Sequence, residues 1–118
     1  MIGEFIMKLL HARTSAHVMH LQTRSYATHK ALEDFYTAIV DLVDALAETW
    51  QGDYGLITEY PARYTPYTEP VKLMEDLGVW IEGHRSELCD EDDTYLQAVV
   101  DDVCALVRQT QYRIKFLK

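Results

Sequence analysis

The run Leu32-Glu33-Asp34-Phe35-Tyr36-Thr37-Ala38-Ile39-Val40-Asp41-Leu42-Val43-Asp44-Ala45-Leu46-Ala47-Glu48 contains neither glycine nor proline, and its apolar residues cover more than one face of a helix. Continued in both directions, the pattern predicts a helix over about residues 26 to 50. A helix that is apolar on more than one side is one wedged between neighbours, within its own chain and across an interface.

Working outward, Gln22-Thr23-Arg24-Ser25 ends an earlier periodic segment, roughly residues 4 to 21, in which Ile6, Leu9, Leu10, Ala16 and Met19 recur while Arg13 interrupts the apolar series. Ser25 or Thr28 is the candidate cap for the helix that follows. On the other side Gly52 and Gly55 are its expected stop signals. Residues 53 to 70 then hold all three prolines, Pro61, Pro66 and Pro70, and so form a long connection that packs on the surface or crosses the molecule. Tyr60, Tyr64 and Tyr67 are suited to anchor it. A third helix is predicted over about residues 70 to 88, with Pro70 near its start and Gly78 and Gly83 weakening it. The acidic patch Asp90-Glu91-Asp92-Asp93 supplies negative charge at the start of a fourth helix running to about Phe116, whose Arg108, Arg113 and Lys115 lie toward its favourable C-terminal end. Two helices, a long link and two more helices predict a single all-α domain over residues 1 to 118, an antiparallel four-helix bundle.

Composition bounds the function. With 48% hydrophobic and 25% charged residues the chain folds rather than remaining disordered. Its formal charge of −8 and its dispersed arginines argue against strong DNA binding, which needs concentrated positive charge. No stretch approaches the roughly 18 apolar residues of a membrane span, and Phe5-Ile6-Met7-Lys8-Leu9-Leu10 is too short for a signal peptide, so a cytoplasmic protein is expected. Cys89 and Cys104 form no metal-binding pair and are expected as buried or partly buried thiols. There is no phosphate loop, nucleophile elbow or HExxH motif, and no organic cofactor is expected.

Within the apolar second helix lies a polar stripe. His29, Glu33, Asp44 and Glu48 are separated by 4, 11 and 4 positions; at ~100° per residue they fall at about 0°, 40°, 60° and 100° around the axis. Along that axis, however, Glu33 and Asp44 are ~16 Å apart, and His29 and Asp44 ~22 Å. The two ends therefore cannot share a metal ion within one copy of the helix. Either other helices complete two sites, or a second copy lies antiparallel in a two-fold dimer and pairs the His29/Glu33 end with the Asp44/Glu48 end. His17 is able to join its own chain's His29/Glu33 end through the turn at residues 22 to 27. Imidazole with carboxylate suits iron, manganese or zinc, and the lack of thiolates argues against a structural zinc site.

These positions carry a resemblance. The stretch from Ala16 and His17 through Glu48 resembles the core of the Dps-like proteins, small ferritin relatives known as DNA-binding proteins from starved cells. Their signature is a His in the first helix, a His twelve positions on, a carboxylate after four more, an Asp after eleven and a Glu after four. His17, His29, Glu33, Asp44 and Glu48 keep every spacing. The resemblance implies a ferritin-like bundle with a ferroxidase centre at a dimer interface: His17, His29 and Glu33 from one subunit, Asp44 and Glu48 from its mate. Ferrous iron is oxidised there by peroxide or oxygen, and complete family members store ferric mineral inside a dodecamer. This chain departs from the family in having Val18-Met19 where Trp-Asn is usual, Gln22 in place of a turn glycine, and Glu33 where Asp is commoner. It also lacks the lysine-rich tail associated with DNA binding and is shorter than usual, as expected of a reduced member from bacteria or their phages.

Other readings compete. The alternative to metal binding is that the five residues form an inherited polar interface without metal, which would make the chain a structural or virion-associated interaction module on the same fold. His11 and His20 are expected exposed or locally hydrogen-bonded, Asp41 solvated, and His84 with Glu87 on the surface. The acids Glu91, Asp92, Asp93, Asp101 and Asp102 invite comparison with helical nucleotide pyrophosphohydrolases, yet histidines suit magnesium poorly and no basic cluster matches a triphosphate.

Overall fold

Ser25 sets the first corner. Its backbone is extended, its Oγ accepts a hydrogen bond from the Thr28 N–H at 3.3 Å, and three residues suffice to turn the chain between two helices. A computed structural model describes all residues from Met1 to Lys118. Four helices make up the fold: α1 (Ile2–Gln22), α2 (Tyr26–Tyr54), α3 (Pro70–Leu88) and α4 (Thr94–Phe116). The chain is an all-α, ferritin-like antiparallel four-helix bundle with a long connection between α2 and α3.

Core positions follow steps of three and four, the spacing that keeps one stripe of a helix turned inward. Phe5, Leu9, Ala12, Ala16 and Met19 supply it on α1, and Leu32, Phe35, Ile39, Val43 and Leu46 on α2. Leu73, Leu77 and Ile81 continue it on α3, and Leu96, Val100, Val103 and Val107 on α4. Most are fully buried, and truncating any of the large ones would cost about 2–5 kcal/mol.

α2 runs four residues beyond the expected end. Gly52 lies inside its last turn, and the stop is Gly55, whose φ of +99° is a conformation that side chains with a Cβ resist. The extra turn is held by tertiary bonds. Trp50 Nε1 donates to the Leu88 carbonyl at 3.2 Å, the Tyr54 hydroxyl donates to Asp93 at 2.5 Å, and the Tyr95 hydroxyl donates back to Asp53. At the opposite end of the same helix pair, Arg113 meets Asp34 at 2.8 Å, so α2 and α4 are antiparallel. Arg85 ties α3 to α4, donating to Asp101 and to the Gln97 side chain, each at 2.7 Å. Both cysteines are free thiols, Cys89 buried and Cys104 half-buried.

The helices neighbour one another in the ring α1–α2–α4–α3, and the α1–α3 seam is the sparsest of the four. Phe5 packs on Trp80 at one end of this seam and Ser15 meets Tyr67 at the other, so α1 and α3 are also antiparallel. It follows that α2 and α3 point the same way. Residues 55–69 must then travel the length of the bundle as a strap, the ferritin-like crossover. Gln51 starts the strap by accepting from the Ile57 N–H at 3.0 Å, and Ile57 is its buried anchor. It next rests on Gly3, where a Cβ would lie 1.8 Å from the Glu59 carbonyl oxygen. Farther along, Tyr64 packs on His11 with the rings tilted and their centroids 4.7 Å apart, while the buried Ser15 Oγ shares a 2.8 Å hydrogen bond with the Tyr64 hydroxyl and accepts from the Tyr67 N–H at 3.2 Å. Tyr67 closes the strap by donating to Asp76 at 3.0 Å. Tyr64 and Tyr67 are thus anchors, as expected, whereas Tyr60 is largely exposed.

Candidate functional site: a histidine cluster at the α1–α2 corner

The short α1–α2 turn brings the end of one helix beside the start of the next. His20 and His29 stack there with ring centroids 3.7 Å apart. Each ring's Nδ1 lies 2.8 Å from the other residue's backbone carbonyl oxygen. A carbonyl only accepts, so both Nδ1 atoms carry the proton and donate. In the neutral rings this leaves Nε2 of each as the free lone pair, the form in which imidazole binds metal ions. His17, one turn before His20, is exposed and stacks on Tyr36 at 4.1 Å; Tyr36 also meets the His20 ring edge-on at 5.3 Å.

Of the five residues singled out in the sequence, His17, His29 and Glu33 thus lie at this corner. Glu33 is paired with Lys30, and that hydrogen bond, with the Lys30 charge and the nearby His20 and His29, holds its carboxyl below the usual range. Asp44 and Glu48 are exposed farther along α2 and take part in no side-chain hydrogen bond or ion pair within the chain. Within one chain, no three His, Cys, Asp or Glu side chains come together closely enough to hold a metal ion. The axial rise of α2 accounts for the separation of Asp44 and Glu48 from the corner; His17, His29 and Glu33, although all at the corner, do not converge on one point either.

His20 is the residue the sequence undervalued. It is buried at the centre of the cluster and bonded across the helix pair, not exposed. Its place three positions after His17 puts both on one face of α1, which is the signal that points to it. Arg13, a further turn back on that face, is half-buried with an Nε that is shielded from solvent and has no partner. His11 is half-buried against Tyr64. His84 donates from Nδ1 to the carbonyl of Trp80 at 2.8 Å and stacks on that indole, a local arrangement within α3.

Around the corner several apolar side chains are exposed among polar ones such as Gln22 and Arg24. Val18, Leu21 and Tyr26 are 46%, 72% and 77% exposed, and on the outer face of α2 Thr37, Ala38, Asp41 and Ala45 are exposed between Glu33 and Glu48. No helix is long and apolar enough to cross a membrane.

A protein of Enterobacteria phage T4, described as an uncharacterized 14.6 kDa protein in the mobD-ri intergenic region, is 26% identical over 117 residues, covering 92% of this chain and 84% of its own. No solved structure matches the chain. The sequence profile of one family matches residues 20–114, from the central histidine of the cluster almost to the end of α4; the chain belongs to that family, DUF5856, a family of unknown function.

Proposed function

We propose that two copies of this chain pair about a two-fold axis through the outer faces of α2 and bind ferrous iron between them, oxidising it to ferric iron. Each site takes His17, His29 and Glu33 from one copy and Asp44 and Glu48 from the other. The observation that carries this reading is the reciprocal bond between His20 and His29. It commits Nδ1 of His29 to a carbonyl and leaves Nε2 as a ligand lone pair on a rigid element, the outer-sphere arrangement typical of metal-binding histidine. The unpartnered carboxylates of Asp44 and Glu48, and the small exposed residues between the two ends of α2, support pairing with an antiparallel copy.

Iron is here the substrate. Two ferrous ions each give up one electron; one hydrogen peroxide accepts both, takes up two protons and leaves as two waters. The protein's part is position and charge. With neutral imidazoles, the three carboxylates of a site match the charge of a ferric ion better than that of a ferrous one, so the oxidised product is favoured. Manganese or zinc suits the same donors and would compete. Lys30 holds Glu33 until a cation replaces it.

Anaerobic titration with ferrous iron, followed by peroxide, tests this in the wild-type chain together with its solution mass. Expected are a dimer or larger assembly, stoichiometric iron binding and a ferric absorbance, with binding lost in His29→Ala and Glu48→Ala. A strictly monomeric chain that still binds iron overturns the shared site. Absence of iron binding with intact assembly favours a second reading, an interaction module on the same fold without ferroxidase activity. The observation behind that reading is that Glu33 already has Lys30, and that the stacked histidines by themselves fasten α1 to α2.

A further inference from the structure

The sparse seam between α1 and α3 is not closed by side chains. It opens into a cleft of about 590 Å³ roofed by the strap, within the range of roughly 300–1,000 Å³ typical of small-molecule sites. Ala12, Leu73 and Leu77 form an apolar floor with Met7 beside them. Around it stand Lys8 from α1, Arg63 from the strap and Lys72 from α3, three cations from three separate elements in a chain whose net charge is −8. Glu4 and Glu69 are the lining carboxylates.

Two of the three cations are not used up internally. Lys8 and Arg63 have no carboxylate partner; Lys8 lies over the Trp80 ring at 5.4 Å, and Lys72 shares Asp76 with Tyr67. Tyr64 packs on His11 with its ring tilted, and its neighbour Arg63 lines the same cleft as Lys8 and His11. Burial, and then the Lys8 charge, push the His11 imidazole below its ordinary value.

We propose that this cleft binds a small organic anion with an apolar body, its acidic head between Lys8, His11 and Arg63 and its body on Leu73 and Leu77. Neither the histidine corner nor the iron reading assigns any role to these residues.

The probe is 8-anilinonaphthalene-1-sulfonate, compared with its uncharged counterpart N-phenyl-1-naphthylamine on the wild-type chain. Saturable binding of one sulfonate dye per chain is expected, at least about tenfold tighter than the neutral dye, the size of one charge-assisted hydrogen bond. Amide NMR shifts should fall in residues 4–15 and 61–77. Lys8→Gln and Arg63→Gln should each weaken the sulfonate dye about tenfold while leaving the neutral dye unchanged, and Arg24→Gln, at the far corner, should change neither. Equal affinity for the two dyes, shifts centred on Leu21 and Tyr26, or equal weakening by Arg24→Gln would each overturn the proposal. If a cleft variant misfolds, the dye pair and the shift map on the wild-type chain still decide.

Discussion

α1 has two seams, and they are built on opposite plans. Toward α2 it is close-packed, and the polar groups at that seam's end satisfy one another: His20 and His29 exchange bonds with each other's backbone and stack face to face. Toward α3 it stands off, and the space is spanned by a strap of irregular chain fixed at a few points, chiefly Gly3, Ser15 and Asp76. The first plan makes a close-packed corner in which one nitrogen per ring, Nδ1, is committed to a carbonyl. The second leaves room beneath a cover, suited to holding a molecule. A helix with one regular core stripe thus makes two different seams, because its neighbours pack on it to different extents.

The comparison is broken most severely at the close-packed seam. His20→Ala removes a buried ring and leaves its partner unstacked, with an expected loss of about 2–4 kcal/mol in urea denaturation. An unchanged midpoint would show that the corner is fastened by its apolar neighbours instead. At the strap the corresponding change is Gly3→Ala, whose new Cβ meets backbone and not a yielding side chain. About 1–3 kcal/mol is expected, together with faster tryptic cleavage after Arg63 at an unaltered rate elsewhere. The smallest effect is one of pH, and it separates the seams. Hydrogen bonds from Tyr67 and Lys72 hold the Asp76 carboxyl below its ordinary 3.8, so the stability it lends is present above that value and lost as pH falls below it. Burial, with the bond to Asp76, raises the Tyr67 phenol above its ordinary 10.0, so its contribution is present below that value and lost as pH rises beyond it. Hydrogen exchange in residues 59–69 should therefore quicken at both extremes before that of the α1–α2 corner does, and Tyr67→Phe should flatten the response.

The helices were legible because their apolar residues repeat at steps of three and four, and the α1–α2 corner because Ser25 is a strong cap. The end of α2 was not. Gly52 costs a helix about 1 kcal/mol relative to alanine, and what offsets it, the bonds joining Trp50, Asp53 and Tyr54 to Leu88, Tyr95 and Asp93, comes from residues far along the chain. The burial of His20 was not legible for a related reason: its partner is a carbonyl oxygen, which every residue has and no sequence pattern marks. The prolines declared the strap irregular without showing that it runs along α1, since its resting place depends on the missing Cβ of Gly3 and on one buried hydroxyl, Ser15. Four of the five spaced residues, His29, Glu33, Asp44 and Glu48, were found by periodicity, and α2 carries them as two separated groups, as its axial rise demands; His17 lies on α1.

The crossover has a consequence for how the chain assembles. α1 with α2, and α3 with α4, are hairpins joined by short turns, so most contacts within each pair are local and quick to form. The strap is the only covalent tie between the two hairpins, and closing a loop costs little more as it lengthens, about 0.6 kcal/mol for each doubling. Insertions between its anchor points are therefore cheap for folding, while the anchors fix where the cover lies. Strap length is free to vary in such a bundle, and with it the size and chemistry of whatever fits beneath, at almost no thermodynamic cost to the four helices.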